Sequence, residues 1–551
     1  MTHLVLGHPS THGDGYQLNT TNILRQAVTT HPEQEIAYRD SRGQWRTTTY
    51  AATWKRVGRT ANALASLGIG PGDVVGILDW NHLRHFELYW AIPGTGAVML
   101  QMNLRLAADD LAYVVGHSGA SVVFVDESLV GQAAELARRC PEVRQWVVMT
   151  DRPLAEVEHD LPDAIDHEAL LAGQPEEFAW PIIDERSAYS ACYTTGTTGR
   201  PKGVFYSHRG IVLHTMMWAA DQAVRDDDCV LLTTPMFHAQ CWGLPQVGVY
   251  ARSRIVLPGR YSAEQIDVLA DAMVRFDVTV TNGAPAIFAP MLEHLRSLPD
   301  PPDLSRTRMI SGSTEPPLSL MRGYYELTGA QIVHGYGATE TTPLVTSNHL
   351  KPSLVARLDE AERWDLKRSQ GLPVAGVDIR LLGPEGDFLP HDGRAVGEIC
   401  IRGPWITTSY WRAEDNDQRF HRGYWRSGDL GTITADGYLK VTDRLKDVIK
   451  SGGEWISSID LENALVEHPS VREAAVVGAP HPQWQERPVA LVVPASPDDE
   501  VDPDALREHL AQGFAKWQLP DEILVVDQLP RTGVGKIDKK ALRAEHGDIF
   551  A

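Results

Sequence analysis

The segment from Tyr193 to Gly203, YTTGTTGRPKG, has the composition of a loop that holds phosphate. Glycines let the backbone approach a ligand closely, threonine hydroxyls donate hydrogen bonds, and the ammonium group of Lys202 supplies positive charge. The segment is not a Walker A loop, because Lys202 lies between a proline and a glycine where that motif needs Gly-Lys-Ser/Thr. An ordinary surface turn does not combine so many hydroxyls with this glycine and lysine spacing. The sequence therefore predicts a phosphate-binding loop.

Four later segments carry further candidate residues: HGYGATETTP (334–343), YWRSGDLG (424–431), DRLKDVIKSGGEWIS (443–457) and PRTGVGKIDKKALR (530–543). Together with the phosphate loop, they resemble in order and spacing the signature motifs of the adenylate-forming superfamily of acyl-CoA synthetases, luciferases and adenylation domains. The chain looks most similar to bacterial medium- or long-chain fatty-acyl-CoA ligases. The resemblance spans residues 193–543 and implies ATP, Mg²⁺ and CoA as ligands.

The resemblance also implies roles for individual residues. Those expected around the phosphates of ATP are Thr194, Thr195, Gly196, Thr197, Thr198 and Lys202. Those expected around the rest of the nucleotide are Gly335 and Tyr336 at the adenine, Thr339 at the α-phosphate, and Asp429 and Arg444 at the ribose. Glu340 is the expected magnesium carboxylate, with Thr194 adding a water-mediated contact. Oxygen donors of this kind suit a hard dication.

The C-terminal motifs imply a lysine loop and a hinge. Lys536 lies in TGVGKID, where its charge would stabilise the transition state of adenylation. In the family the small domain rotates after this step, and Lys446 matches the pivot. Ser451, Gly452 and Gly453 would then line a pantetheine channel, since bare backbone suits the passage of a slender chain. Trp455 resembles a tryptophan of bacterial fatty-acyl members.

The predicted acyl pocket uses PMFHAQCWG (235–243), which resembles the aromatic gate segment of the family. By this resemblance His238 flanks the reacting carboxylate and Trp242 closes a fatty-acid tunnel. The remaining expected pocket residues are Ser313, Thr314, His334 and Gly335. Glu315 departs from the fatty-acid pattern, where alanine is common. A carboxylate that faced the pocket would disfavour a purely apolar acyl chain.

The elements that must position these residues alternate between strand and helix. Short apolar runs predict buried strands at 73–79, 121–126, 228–235, 254–259 and 277–283, and helical spacing marks 53–68 and 262–276. This predicts an α/β fold with a large N-terminal domain, residues 1–443, of helix-covered sheets. Glycine, proline and aspartate predict a hairpin-rich subdomain at about 375–443. Residues 444–551 are expected to form a small α+β domain, with helices at 459–468 and 503–516 and strands at 471–477 and 488–494, and the resemblance implies that this domain is mobile.

Length and composition predict a globular protein of more than one domain. The chain has 551 residues and a formal charge of −21, which disfavours nucleic acid as a partner. Its five cysteines are scattered without a C-x-x-C pair and are expected to be reduced core residues. Neither a secretory signal nor an apolar run long enough for a membrane span is visible. A cytoplasmic location follows as an expectation.

The leading hypothesis is an ATP-dependent acyl-CoA ligase for a medium- or long-chain or related bulky acid. An enzyme that loads a carrier protein or an amine shares the first half-reaction and differs only in its acceptor. A third candidate catalyses only thioester formation from an acyl adenylate, and a fourth is a non-catalytic nucleotide-binding protein. Retention of Lys202, Glu340 and Lys536 argues against the last two. Homodimers are common among related bacterial enzymes, so a homodimer is a further expectation.

Overall fold

The computed structural model describes residues 5, 7–12, 15–194, 200–262, 265–452, 454–496, 501–531 and 537–550. Its strands are β1 Glu35–Arg39, β2 Trp45–Thr49, β3 Val74–Leu78, β4 Val98–Gln101, β5 Ala120–Asp126, β6 Gln145–Met149, β7 Ile165–Asp166, β8 Ala188–Tyr193, β9 Gly203–Ser207, β10 Cys229–Leu231, β11 Arg254–Leu257, β12 Val280–Gly283, β13 Arg308–Ser311, β14 Gln331–Gly337, β15 Leu344–Ser347, β16 Leu372–Pro373, β17 Asp378–Leu382, β18 Gly397–Arg402, β19 Phe420–His421, β20 Tyr424–Ile433, β21 Leu439–Arg444, β22 Ile449–Ser451, β23 Glu454–Ile456, β24 Val471–His481, β25 Gln485–Pro494 and β26 Glu522–Val525.

The α-helices lie mainly between these strands. They are α1 Thr21–Thr30, α2 Tyr50–Ser66, α3 Leu83–Gly94, α4 Ala108–Ser118, α5 Val130–Ala137, α6 His167–Leu171, α7 His208–Asp221, α8 Leu244–Ala251, α9 Asp267–Arg275, α10 Pro285–Ser297, α11 Leu318–Thr328, α12 Pro352–Val355, α13 Glu360–Arg368, α14 Ser458–Glu467, α15 Pro503–Leu510 and α16 Lys539–His546.

Two large sheets form the N-terminal part of the molecule. One has the strand order β7-β6-β5-β3-β4-β8-β9, and the other has the order β16-β15-β14-β13-β12-β10-β11-β1-β2. Most neighbouring strands are parallel, and β3 is buried along its whole length because helices cover both faces of the sheet. The five strands predicted from apolar runs are all present, as β3, β5, β10, β11 and β12. The α/β fold is thereby confirmed.

A third sheet follows in the region predicted to be rich in hairpins. It joins β17, β18, β20 and β19 in that order, and β21 pairs with β20. All of these pairings are antiparallel. The sheet ends at Arg444, one residue after the predicted end of the N-terminal domain.

The C-terminal residues build a smaller sheet, β23-β22-β25-β24, with β26 parallel to β25. Ala474 and Val476 pack into one apolar cluster, while Ala475 and Val477 pack into another, so both faces of β24 are buried. Every buried member of these two clusters lies between Ile449 and Leu542. This part of the chain therefore has a core of its own, as an independent domain requires.

The end of one predicted helix differs from the structure. The helix predicted at 503–516 ends at Leu510, before Gly513, a residue that weakens helix propagation. The short strand β9 lies between the predicted phosphate loop and α7, which begins at His208. Pairing of β9 with β8 closes the loop as a hairpin. Within the described residues, no helix combines the length and apolar character that a bilayer crossing requires.

Candidate active site

The phosphate loop is closed at its base by Thr194 and Lys202. The Thr194 amide donates to the Lys202 carbonyl at 2.9 Å, and the Lys202 amide donates to Thr194 Oγ1 at 3.3 Å. One step further out, Tyr193 and Gly203 are paired across β8 and β9. The two strands thus bring Thr194 and Lys202 together. The predicted residues Thr195, Gly196, Thr197 and Thr198 lie outside the described residues.

The side chain of Lys202 turns toward a second group of polar residues. Its Nζ lies 2.6 Å from Asp415 Oδ2 and 5.2 Å from the centre of the Tyr410 ring. The Tyr410 hydroxyl donates to Glu340 Oε1 at 2.7 Å and accepts a hydrogen bond from Trp425 Nε1 at 3.0 Å. One tyrosine therefore joins the phosphate-loop lysine to the predicted magnesium carboxylate.

Backbone contacts hold Glu340 and its neighbour Thr339 in place. The Tyr206 hydroxyl donates to the Thr339 carbonyl at 2.7 Å, and the Thr407 amide donates to the Glu340 carbonyl at 2.9 Å. Burial raises the pKa of Glu340, while the hydrogen bond from Tyr410 opposes that shift. A cation at the free edge of this carboxylate would compensate its buried charge. One carboxylate, with water and phosphate oxygens completing the shell, is a donor set that Mg²⁺ accepts.

A third group gathers Tyr336, Asp429 and Arg444. Asp429 on β20 and Arg444 on β21 are directly opposite in the antiparallel register, and Arg444 Nε lies 3.6 Å from Asp429 Oδ1. The Tyr336 hydroxyl donates to the other oxygen, Oδ2, at 2.5 Å. Burial and the neighbouring Asp429 raise the pKa of Tyr336 well above its ordinary value, so the phenol keeps its proton. This group offers an aromatic face, a carboxylate and a guanidinium in one place.

Two of the predicted pocket residues, Trp242 and Gly335, meet at Gly312. The Trp242 ring lies 3.4 Å from the position that a Cβ on Gly312 would take, and the Gly335 carbonyl lies 3.1 Å from it. Trp242 ends a turn in which Ala239, Gln240, Cys241 and Trp242 all have positive φ, between 43° and 57°. His238 begins this turn and is half-buried. The turn therefore fixes the direction in which the Trp242 ring points toward Gly312.

Asn282 at the end of β12 holds this left-handed turn. Its Nδ2 donates to the Cys241 carbonyl at 2.7 Å, and its Oδ1 accepts from the Thr234 amide at 3.3 Å. The Asn282 side chain is fully buried. No pattern in the sequence pointed to it, because it lies 41 positions from Cys241.

The remaining predicted pocket residues have different environments. His334 is buried, its Nδ1 lies 2.7 Å from the Arg368 carbonyl, and burial lowers the pKa of His334 to about 4. Ser313 and Thr314 are exposed next to Gly312. Glu315 bonds Arg368 at 2.9 Å, so its charge is balanced by an arginine. Because this carboxylate is paired, Glu315 is a weaker argument against an apolar acid than the sequence suggested.

The predicted hinge and channel residues lie just beyond β21. Lys446 is exposed in a turn in which the Asp447 and Val448 amides both donate to the Arg444 carbonyl. Gly452 has a φ of +61° and lies against the Trp484 ring, while Trp455 is 41% exposed on β23. Gly453 and the predicted catalytic Lys536 lie outside the described residues.

Two family models match this chain. The model described as AMP-binding enzyme matches residues 24–411, and the model described as AMP-binding enzyme C-terminal domain matches residues 460–536. The chain belongs to the AMP-binding enzyme family. The two matches together contain most of the residues described above.

Curated members of the AMP-binding enzyme family match over nearly the whole chain. A long-chain-fatty-acid–CoA ligase of Thermus thermophilus is 39% identical over 98% of each chain. A medium-chain-fatty-acid–CoA ligase of Ectopseudomonas oleovorans is 34% identical over 97% of each chain. A 3-methylmercaptopropionyl-CoA ligase of Ruegeria lacuscaerulensis is 35% identical over 96% of this chain and 97% of that protein. These relatives confirm the predicted family and enzyme class, an AMP-forming acid–thiol ligase.

Solved structures of the family share the fold. ATP-bound MatB from Rhodopseudomonas palustris superposes with a TM-score of 0.80 at 26% identity, covering 97% of this chain and all of that one. An anthranilate CoA ligase in complex with anthranoyl-AMP superposes with a TM-score of 0.82 at 24% identity, covering 96% and 97% of the two chains. The predicted use of ATP and CoA is confirmed together with the family.

Proposed function

We propose that this enzyme is an acyl-CoA ligase for apolar carboxylic acids of medium or long chain. The observation that carries the proposal is the surroundings of Gly312, where the Trp242 ring lies beside the backbone and the neighbouring Glu315 is paired with Arg368. An apolar wall without an unpaired charge favours an apolar acid. The names of the long-chain and medium-chain relatives support the same acid class.

The group of Tyr336, Asp429 and Arg444 is assigned to the adenosine part of ATP. The Asp429 carboxylate can accept hydrogen bonds from both hydroxyls of a ribose, and Arg444 reaches it from the opposite strand. The Tyr336 ring supplies a flat face on which an adenine can stack. The 2.5 Å hydrogen bond from Tyr336 to Asp429 fixes the spacing between these two functions.

The group of Lys202, Tyr410 and Glu340 is assigned to the triphosphate. Glu340 would hold Mg²⁺, which neutralises phosphate charge when bound, and Thr194 would add an oxygen through water. Lys202 exchanges its ion pair with Asp415 for contacts to phosphate oxygens. Lys536 is assigned to the α-phosphate and the reacting carboxylate, and Thr339 to the α-phosphate.

The reaction then proceeds in two balanced steps. A carboxylate oxygen of the acid attacks the α-phosphorus of ATP and pyrophosphate leaves, which gives an acyl adenylate. The thiol of CoA, losing its proton, attacks the acyl carbon and AMP leaves. Lys202 and Lys536 lower the barrier of the first step by stabilising charge on the phosphoryl oxygens. Lys446 would serve as the pivot, and Gly452, Gly453 and Trp455 as the wall of the thiol channel, in the second step.

Three coarser expectations complete the proposal. The domain boundary is assigned to Asp443 and Arg444, where β21 ends and before the C-terminal core begins. A cytoplasmic location is supported by the five cysteines, all of which are buried and unpaired, as a reducing compartment favours. A homodimer is proposed by analogy with bacterial relatives only.

A panel of acids tests this function. Pyrophosphate release is measured with straight-chain acids of increasing length, with aromatic acids and with short polar acids, each with and without CoA. The highest kcat/KM is expected for a medium- or long-chain acid, with acyl-CoA formed only when CoA is present. A preference for polar or aromatic acids would refute the assigned substrate class. Pyrophosphate release that does not depend on added acid would refute the assignment as a ligase.

A matched pair of variants tests the nucleotide assignment. Asp429→Asn removes the charge that accepts ribose hydroxyls, so KM for ATP should rise by about 10-fold or more, because hydrogen bonds to charged groups contribute about 1.5–3 kcal/mol. Asp527→Asn changes an exposed aspartate and serves as the control. An unchanged KM for ATP in Asp429→Asn would contradict the assignment.

A further inference from the structure

Asp79, His82 and Asp126 form a compact cluster in which each side chain offers one metal-ligating atom, all within 4.8 Å of one another. His82 Nδ1 lies 2.7 Å from Asp79 Oδ1 and 3.3 Å from Asp126 Oδ2. The three side chains are 1%, 13% and 8% exposed, in the order Asp79, His82 and Asp126. The cluster uses no residue that the proposed function assigns.

The topology of the sheet explains why these residues meet. Asp79 directly follows β3, and Asp126 is the last residue of β5, the parallel neighbour of β3. From β3 the chain passes through α3 to β4 on one side, whereas β5 continues to β6 on the other side. Carboxyl ends of neighbouring strands whose connections diverge form a crevice where ligands bind in open α/β sheets. His82 enters this crevice from the residue before α3.

The charges and hydrogen bonds of the cluster are incompletely balanced. Asp79 Oδ1 accepts from the Trp80 amide and contacts His82, while Asp126 Oδ1 accepts from Ser128. Asp79 Oδ2 is fully buried and has no hydrogen-bond partner among the described residues. A lone buried carboxylate oxygen is costly to leave unpaired.

Arg84, two positions after His82, does not restore the balance. Arg84 is engaged with Asp151 at 2.7 Å and with Glu168 at 2.8 Å. A protonated His82 would therefore leave one net negative charge on two buried carboxylates. A divalent cation bound to neutral His82 and both aspartates would leave none.

We propose that Asp79, His82 and Asp126 bind a divalent transition-metal ion of the Zn²⁺ type. One imidazole nitrogen and two carboxylates are ligands that Zn²⁺ accepts at about 2.0–2.2 Å. Tetrahedral ligands at that range lie about 3.3 Å from one another. The separation of His82 Nδ1 from Asp126 Oδ2 is 3.3 Å, whereas that from Asp79 Oδ1, at 2.7 Å, would lengthen on binding. Asp79 Oδ2 or a water molecule completes the shell. Where His82 Nδ1 carries the proton of its contact with Asp79, metal binding at Nδ1 releases that proton to solvent.

The ion would brace the two large sheets against each other. Asn81, between Asp79 and His82, donates to the carbonyls of Leu232 and Thr234 and accepts from the Met236 amide. Gly259, which follows β11 of the other large sheet, packs against His82. A Cβ added at Gly259 would lie 3.1 Å from His82 Cδ2. A site at this junction stabilises structure and takes no part in the reaction.

Metal binding to the full-length protein tests the proposal without reference to activity. Protein treated with chelator and dialysed at pH 8 is titrated with Zn²⁺ by calorimetry, and with Co²⁺ by visible absorption, which reports ligand geometry. One equivalent per chain and a rise in melting temperature are expected. Asp79→Asn and His82→Gln should each raise Kd by more than about 10-fold.

Matched controls exclude adventitious binding. The variant His8→Gln/His12→Gln, in the exposed N-terminal segment, should bind Zn²⁺ as the unchanged protein does. If Asp79→Asn misfolds, Asp126→Asn takes its place. The titration of the unchanged protein tests the proposal whether or not either variant folds. Absence of a bound equivalent would overturn the proposal. So would binding lost in the N-terminal control but kept in the cluster variants.

Discussion

At the scale of single residues, Tyr410 connects functions that the sequence motifs list separately. Its hydroxyl binds the Glu340 carboxylate, and its ring lies beneath the Lys202 ammonium. Trp425, from the motif that carries Asp429, donates to the same hydroxyl. A hydrogen bond to a buried carboxylate both orients it and lowers the cost of its charge. Tyr410 is therefore a positioning residue for the proposed magnesium carboxylate.

Removal of this hydroxyl should weaken the response to magnesium. In Tyr410→Phe, Glu340 loses the bond at 2.7 Å, so we expect kcat for pyrophosphate release to fall by about 10-fold and the Mg²⁺ concentration at half-maximal rate to rise. Tyr424→Phe is the matched control. It removes a tyrosine hydroxyl that donates to another carboxylate, that of Asp378. Equal Mg²⁺ dependence in both variants would show that Tyr410 has only a structural role.

At the scale of elements, the left-handed turn from Ala239 to Trp242 is the least ordinary feature of the site. Left-handed backbone costs roughly 1–2 kcal/mol per residue for residues with a Cβ, so tertiary contacts must hold it. Asn282 supplies two of them, from its Nδ2 to the Cys241 carbonyl at 2.7 Å and from Cys241 Sγ to its Oδ1 at 3.8 Å. Gln246 adds a third by donating to Gln240 Oε1 at 3.2 Å. Strain held in this way at a pocket fixes a side chain in one direction.

Loss of the Asn282 amide should affect the acid and spare the nucleotide. In Asn282→Ala the buried Cys241 carbonyl loses its donor, which costs about 1–3 kcal/mol of stability. We expect KM for the acid to rise and preference for chain length to broaden, with KM for ATP unchanged. Steady-state kinetics with both substrates measure this split.

A second asparagine provides the control for that experiment. Asn62 donates to the carbonyls of Gly58, Pro175 and Glu177, far from the pocket in sequence. Asn62→Ala should lower stability without changing KM for the acid. If both variants change the acid KM equally, the effect of Asn282 is one of general stability.

At the scale of the whole molecule, buried neutral histidines link stability to pH. Burial lowers the pKa of His208 and His334 from 6.5 to about 4 and that of His214 to about 3. The unfolded chain binds these protons below pH 6.5, whereas the folded chain resists them. Stability is therefore fully present above pH 6.5 and falls as the pH drops toward 4.

His334→Gln should reduce this dependence on pH. At pH 5.5 each such histidine lowers the free energy of unfolding by about 1 kcal/mol relative to neutral pH. The free energy of unfolding is measured with denaturant at pH 7.5 and at pH 5.5. Its decrease on acidification should be smaller by about 1 kcal/mol in the variant than in the unchanged protein. Comparing each protein with itself removes any direct effect of the substitution, and exposed His8→Gln is the control. An unchanged loss in His334→Gln would contradict the prediction.

The two domains also meet through charges that the whole molecule brings together. Arg368 on α13 binds Glu315 at 2.9 Å and reaches Glu467, the last residue of α14, at 3.5 Å. The Ser458 amide at the start of α14 donates to Asp443 Oδ2 at 2.6 Å. These contacts belong to the arrangement of the two domains seen here, and the proposed rotation about Lys446 would break the Arg368–Glu467 contact.

The sequence by itself determined the family and the order of elements, and it predicted most of the polar residues that the structure gathers into the proposed site. Phosphate loops, nucleotide motifs and apolar strands are local patterns, so spacing along the chain carries them without knowledge of the fold. The five predicted strands and the residues Lys202, Tyr336, Glu340, Asp429 and Arg444 are examples.

Only the tertiary structure decided which groups meet across the site. Lys202 pairs with Asp415 across 213 positions, and Asn282 supports a turn 41 positions away. The turn itself contradicts local preference, because backbone with positive φ is unfavourable until distant side chains stabilise it. Asp79 and Asp126 likewise meet only because β3 and β5 are neighbours in the sheet. Contacts of this kind depend on topology, which spacing along one chain does not encode.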